Sequence, residues 1–463
     1  MERPNAWKQY DAKSLAALED VSRRYRTYLD NGKTERECVT ETVAMAREHG
    51  YIDLRDAIRA GKPLAPGAKI YATWMDKAIM LFHLGEKPLT EGVNIVGAHI
   101  DSPRMDLKQN PFYEDTDFAY GDTHYYGGLK KYQWVARPLA LHGVVAKKDG
   151  TLVNVVIGED ENDPVVGLSE LLPHLAQEQM VKKGSEIITG EGLDILLCGR
   201  PLVDDEEQKE PVKAMLLSIL KDKYGIEEED MISAEIEVVP ADKARDFGLD
   251  RSMILGYGHD DRVCSFAAVE AILTLPATPA YTCCCLLADK EEIGSVGATG
   301  MQAKYFENAM AELLALTSPV YSELNLRRAL AACRMLSCDV SAGYDPLYAS
   351  AFEKKNAAYL GRGVCYNKFT GSRGKSGSND ANAEFIGRLR KIMDDNNVCW
   401  QTAELGKVDL GGGGTIAYIC ALYGMEVIDS GVPVLSMHAP LEIISKADLY
   451  EAVKAYSAFM QNA

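Results

Sequence analysis

Thr282-Cys283-Cys284-Cys285-Leu286-Leu287-Ala288-Asp289-Lys290-Glu291-Glu292-Ile293-Gly294-Ser295-Val296-Gly297 decides how this chain folds. Its first part, Thr282 to Leu287, is an apolar run of strand length that stops abruptly at acidic residues and then a glycine-rich turn. Open α/β sheets bind ligands in the crevice beyond the carboxyl ends of their strands. A catalytic base and a metal ligand belong at such a place, so Glu291 and Glu292 are read as chemistry. Two carboxylates opening a helix would also answer its macrodipole, and both readings can hold at once.

The pattern recurs on either side of that stretch. Val93 to His99 reads as a buried strand delivering His99-Ile100-Asp101 to its C-terminal end. Ile254-Leu255-Gly256-Tyr257-Gly258-His259-Asp260-Asp261-Arg262 precedes a helical pattern from Val263 to Leu275, and a further helix runs from Gln302 toward Leu316. The strand Arg334 to Val340 contains Asp339 near its end, and Val427 to Leu435 leads to Ser436-Met437-His438. The first residues, Ala12 to His49, read as helices with Gly50 as a stop, and Ala447 to Met460 as the last helix. Strands alternating with helices predict an α/β fold with a mixed central sheet flanked by helices.

Between Pro103 and Val239 the character changes to alternating apolar and polar segments such as Leu139 to Ala146 and Leu152 to Ile157, as half-exposed strands require. A helix is expected from Glu206 to Tyr224. The organisation predicted is a catalytic domain from residues 1–102 and 240–463, with 103–239 as an inserted, β-rich second domain. A chain of 463 residues is long enough for both.

The formal net charge of −18 repels nucleic acid and anionic membrane surfaces, so neither is expected as a partner. An anionic substrate would need a local cationic pocket. The eleven cysteines show no disulfide or zinc-ribbon spacing and read as buried thiols in a reducing compartment. No apolar signal core or membrane-span run is seen, which predicts a cytoplasmic protein.

Singly, each acid or histidine has an ordinary structural reading. Asp260-Asp261-Arg262 could be a helix cap with an ion pair, Asp339 could cap a turn, and His99 or His438 could be structural. Together His99, Asp260, Glu292, Asp339 and His438 form an ordered set of two imidazoles and three carboxylates. Zinc takes those donors in open catalytic sites. With Asp260 bridging, each of two divalent ions, Zn2+ or else Co2+ or Mn2+, receives one histidine, one private carboxylate and one shared oxygen. Ions about 3.5–4 Å apart clamp a carbonyl and an attacking hydroxide together. Glu291 then serves as general base and later acid, and Asp101 holds the His99 tautomer through the ring's other nitrogen.

These residues resemble the M18 family of metallo-aminopeptidases, the aspartyl aminopeptidase family within the dizinc exopeptidases. The resemblance rests on Gly97-Ala98-His99-Ile100-Asp101-Ser102-Pro103-Arg104, Tyr126-Gly127-Gly128, Pro173-His174-Leu175-Ala176, Asp289 to Gly294, Cys338-Asp339-Val340-Ser341, Gly414-Thr415-Ile416 and Met437-His438. It implies that His99 and Asp339 complete one zinc site and Glu292 and His438 the other, with Asp260 bridging and Glu291 catalytic. It further implies that the β-rich insertion serves dimerisation, and that dimers assemble into a closed, often tetrahedral, dodecamer. Pro173-His174-Leu175-Ala176 reads from its residues as a helix segment with a structural histidine. The resemblance implies instead that His174 reaches a neighbouring subunit's active site and helps stabilise the tetrahedral intermediate.

The expected function is removal of N-terminal residues from peptides, with a dizinc deacylase or carboxypeptidase-like hydrolase and a non-catalytic assembly protein as rivals. Lys368 to Asn379, basic and rich in glycine and serine, is either a cradle for an acidic side chain or a solvated surface loop. Gly411-Gly412-Gly413-Gly414-Thr415 lacks the lysine of a phosphate loop and is read as a close backbone approach to a peptide substrate. His259-Asp260-Asp261-Arg262 replaces the hydrophobic-Asp-Asn motif usual in eukaryotic members of the family, which leaves acidic, neutral and basic N-terminal residues all open as substrates.

Overall fold

The structure, a computed structural model, describes residues 3–203, 208–371 and 374–463. They divide into two units: Met1–Asp101 with Ala244–Met437 and Glu442–Ala463, and Ser102–Lys243 with His438–Leu441.

In the larger unit, the strand Thr282–Ala288 is buried along its whole length. Successive side chains of a strand point to opposite faces, and this sorts the cysteine run. Cys283, Cys285 and Leu287 enter one core with Val263, Phe266 and Val269 of the helix His259–Leu273. Cys284, Leu286 and Ala288 enter another with Phe306, Met310 and Leu313 of the helix Tyr305–Thr317. A strand covered on both faces reads as a continuous apolar run rather than an alternating one.

Around it, nine strands of the described residues form one mixed sheet. Their order is Ile52–Asp53, Lys69–Trp74, Ala78–His83, Thr282–Ala288, Val93–His99, Arg334–Cys338, Glu426–Gly431, Val364–Asn367 and Trp400–Thr402. Val93–His99 runs parallel to both its neighbours, with Ala288 opposite His99 and Ser337 opposite Gly97. Parallel strands end together, so the residues after Ala288, His99 and Cys338 emerge at one edge. Helices begin where the sequence caps them: Thr34 and Glu37 form a capping box for Glu35–Glu48, and Asp11 caps Ala12–Asn31. The fold is thus mixed α/β, as expected.

The smaller unit carries a six-stranded sheet in the order Leu152–Ile157, Leu139–Ala146, Ala234–Pro240, Arg104–Asp115, Phe118–Tyr126, Ile195–Cys198, every pair antiparallel. Its helix begins at Pro211 and runs to Tyr224, because proline suits a first helical position, where its missing N–H has no partner to lose. The predicted start at Glu206 falls outside the described residues. Pro173-His174-Leu175-Ala176 is not helix. It is a turn closed by Leu175 N–H to Leu172 O, 3.0 Å, and the following helix spans only Gln177–Met180.

All eleven cysteines are free thiols, but Cys198 and Cys399 are only half-buried. Among the described residues no helix is long and apolar enough to cross a membrane.

Candidate metal centre and active site

His99 ends its strand fully buried. Nδ1 lies 3.1 Å from the Asp101 carbonyl oxygen and 3.3 Å from Asp101 Oδ1. Nε2 lies 3.2 Å from Asp260 Oδ1 and 3.8 Å from Asp339 Oδ1. The backbone of the residue is fixed as well, its N–H reaching Asp261 Oδ2 at 3.4 Å and its carbonyl accepting from Ser265 Oγ at 2.6 Å. Burial opposes charge on the ring, but Asp101, Asp260 and Asp339 outweigh it and hold the imidazole pKa well above its usual value.

Such a ring tests the fit of a metal directly. With Nδ1 committed to Asp101, a neutral imidazole turns its Nε2 lone pair toward two carboxylate oxygens, which is repulsive. A proton on Nε2 relieves this, and so does a cation between the three groups. Two sets of donors satisfy the second condition, His99 with Asp260 and Glu292, and His99 with Glu291 and Asp339. Within each set the ligand atoms lie within 4.8 Å of one another. Nitrogen and carboxylate oxygen are the donors that zinc accepts.

Asp101 does more than orient His99. Its Oδ1 and Oδ2 accept the N–H groups of Glu291 and Glu292, both at 3.1 Å, so one carboxylate aligns the imidazole and the acidic turn together. Lys290, in the left-handed region at φ 66°, reverses the chain just before this turn.

Glu291 is held from the other side. Its Oε1 accepts Thr415 N–H at 2.7 Å and Thr415 Oγ1 at 3.1 Å, and Thr415 Oγ1 lies 2.6 Å from Ser295 Oγ. Burial pushes the Glu291 carboxyl up to about 7, with Asp339 adding to the rise. The glycine run before Thr415 also packs closely against the chain itself. A Cβ on Gly414 would sit 2.3 Å from Asp339 Oδ2, and one on Gly413 would sit 2.6 Å from Thr370 Cβ. This close approach is to the chain's own acid and threonine.

Asp260 and Asp261 have non-helical backbone at the start of His259–Leu273. The N–H of Asp260 donates to Glu442 Oε2 at 2.9 Å. Next to it, His259 is structural: Nδ1 lies 2.6 Å from the Tyr25 hydroxyl and Nε2 3.2 Å from the Ile254 carbonyl oxygen. Burial pushes this imidazole down to about 3, so it stays neutral.

Of the predicted residues, His99, Asp101, Asp260, Glu291, Glu292 and Asp339 therefore meet. Glu291, expected only as a base, also stands in one donor set. His438 and His174 belong to the smaller unit and to neither donor set. There His438 Nδ1 lies 2.8 Å from the Gly128 carbonyl oxygen, and His174 is exposed on its turn. In the loop from Lys368, Ser372 and Arg373 lie outside the described residues, and Lys375 is engaged with Asp380 at 2.9 Å and with the Phe369 ring. The roles of Thr415, Asp261 and Ser265 were not foreseen. A hydroxyl directly after a glycine run was the one available signal, for Thr415.

The sequence matches the M18 family, described as aminopeptidase I zinc metalloprotease, across residues 28–460. The chain belongs to the M18 family. Its relatives include a probable M18 family aminopeptidase 1 of Clostridium acetobutylicum, 56% identical over 461 residues, covering 100% of this chain and 98% of that one. The crystal structure of an M18 aminopeptidase from Thermotoga maritima superposes with a TM-score of 0.94 at 44% identity, covering 100% of each chain. The mApe1 dodecamer of S. cerevisiae shares the fold, with a TM-score of 0.77 at 20% identity over 95% of this chain and 96% of that one. Family membership makes this M18 chain a metallo-aminopeptidase.

Proposed function

We propose that the enzyme removes N-terminal residues from peptides by a two-cation mechanism in which Glu291 carries the proton. The observation behind this is the clamp on Glu291. Thr415 occupies Oε1 with two hydrogen bonds, which leaves Oε2 to take a proton from water and return it to the leaving amine nitrogen.

Divalent cations, zinc in the first instance, supply Lewis acidity toward the peptide carbonyl and acidify water when bound. In this reading His99, Asp260, Glu292 and Asp339 would hold the cations. Asp101 keeps the proton of His99 on Nδ1, so that Nε2 presents its lone pair.

The smaller unit, in this reading, is the dimerisation element of a homo-oligomer, a tetrahedral dodecamer. On this unit His174 is surrounded in sequence by large apolar side chains left in solvent. Leu175 is 68% exposed, Met180 72% and Val181 86%, the kind of surface that another subunit covers. From there His174 would help stabilise the tetrahedral intermediate in a neighbouring copy. The cytoplasm, where eleven free thiols stay reduced, is the proposed compartment.

Glu291→Gln tests the central step. It should lower kcat by about a thousandfold, within the usual range for a lost general base, while zinc content measured on the purified protein stays unchanged. More than a tenth of wild-type turnover would remove Glu291 from the role. Comparing a free-amine peptide with its N-acetylated twin tests the reaction class, and preference for the blocked peptide would make the enzyme a deacylase instead.

A further inference from the structure

One cleft of the larger unit has no part in the reaction above. It measures about 760 Å³ and is lined by Arg3, Lys354, Lys355, Arg362 and Arg390, with no carboxylate among its described lining residues. On a chain of net charge −18 this is a local reversal of sign. None of the proposed metal-site residues lines it.

Its floor is built rather than incidental. The cleft lies along Trp400–Thr402, the last strand of the nine-stranded sheet. Gln401, buried, ties the neighbouring chain to that strand: Oε1 accepts Tyr359 N–H at 2.9 Å, and Nε2 donates to the Tyr359 carbonyl at 2.8 Å and to the Gly363 carbonyl at 3.1 Å. The Arg3 guanidinium stacks 3.7 Å above the Trp400 ring, and Arg362 lies 4.4 Å above Tyr359. A stacked guanidinium is held in position by the aromatic face beneath it. Glu353, next to Lys354 in sequence, accepts the backbone N–H of Lys355 at 3.2 Å and Asn356 Nδ2 at 2.6 Å.

We propose that this cleft binds a compact polyphosphate anion. Cations gathered into one small volume match a ligand with a negative charge on every phosphorus. An acidic peptide in extended form presents same-face carboxylates about 7 Å apart, so only one or two of its charges would enter. Arginine also recognises phosphate oxygens by paired N–H donors.

Isothermal titration of the metal-loaded enzyme with tripolyphosphate, at fixed ionic strength, tests this. Saturable binding is expected, weakened about tenfold in Lys355→Ala and again in Arg390→Ala, each removing one charge-assisted contact at an exposed position. Absence of saturable binding would overturn the proposal. So would binding unchanged by both substitutions, which would be chelation of the enzyme's metals, and so would tighter binding of hexaglutamate than of tripolyphosphate.

Discussion

Two clusters of buried acids lie in the larger unit, and they are satisfied in opposite ways. On the final helix, Asp448 accepts Gly361 N–H and Gly363 N–H, each at 2.7 Å. Glu451 accepts Cys399 N–H at 2.7 Å and the Tyr10 hydroxyl at 2.9 Å, with Lys454 Nζ also 2.8 Å away. That cluster is completed by the protein's own donors. At the strand ends, Asp260 and Asp339 instead turn oxygens toward one imidazole nitrogen, with Glu291 and Glu292 alongside. Buried charge persists only when paired or bound to a cation. The contrast separates acids that hold the fold together from acids grouped as a metal site would require.

The comparison breaks most visibly at His99. His99→Ala should release metal and cost about a thousandfold or more in turnover, since carbonyl polarisation by a cation is worth several kcal/mol and each 1.4 kcal/mol is tenfold. Metal analysis and peptide assays on protein with a native circular dichroism spectrum decide it. Retained zinc would show that the ring serves the fold, as His259 does.

A smaller effect should follow Gly414→Ala. The new methyl would meet Asp339 Oδ2 at 2.3 Å and displace that carboxylate. Displacements of about 1 Å in a catalytic group cost up to a hundredfold, so a tenfold to hundredfold fall in activity is expected, with the melting temperature little changed. Unaltered kinetics would mean that Asp339 can move without consequence.

How much of this was legible beforehand follows from the same physics. An acid or histidine at the end of an apolar run is a local signal, and it led to His99, Asp260, Glu292 and Asp339. The double burial of Thr282–Ala288 could be read too, because a strand with two covered faces has no polar alternation. Thr415 could not be matched to Glu291, because 124 residues separate them and only the sheet brings them together. The turn at His174 was misread as helix because Leu175 and Ala176 are good helix formers, while the decisive i to i+3 bonds are invisible in composition. The close fit of Gly414 against Asp339 could not be read from the glycine run, because 75 residues separate them.

The self-satisfied cluster should respond to mutation in stability alone. Asp448→Ala removes the acceptor of two buried N–H groups and should cost about 2–3 kcal/mol, measured as a shift in the urea midpoint. Turnover per folded molecule and metal content should not change, and loss of metal would erase the distinction between the clusters.

The finest test is pH. Burial pushes the Asp448 carboxyl up to about 8, against the pull of its Gly361 and Gly363 N–H donors and with Glu451 adding to the rise. The unfolded chain loses that proton near pH 4, whereas the folded chain keeps it to about pH 8. Between those values the native state binds more protons than the unfolded state, so this residue's contribution to stability falls as pH rises and levels off above about 8. Asp448→Asn, which cannot ionise, should flatten that part of the slope between pH 5 and 8 when urea midpoints are compared at matched salt and metal. An identical slope in both proteins would mean that Asp448 is charged in the fold, held by its two N–H donors as a true anion.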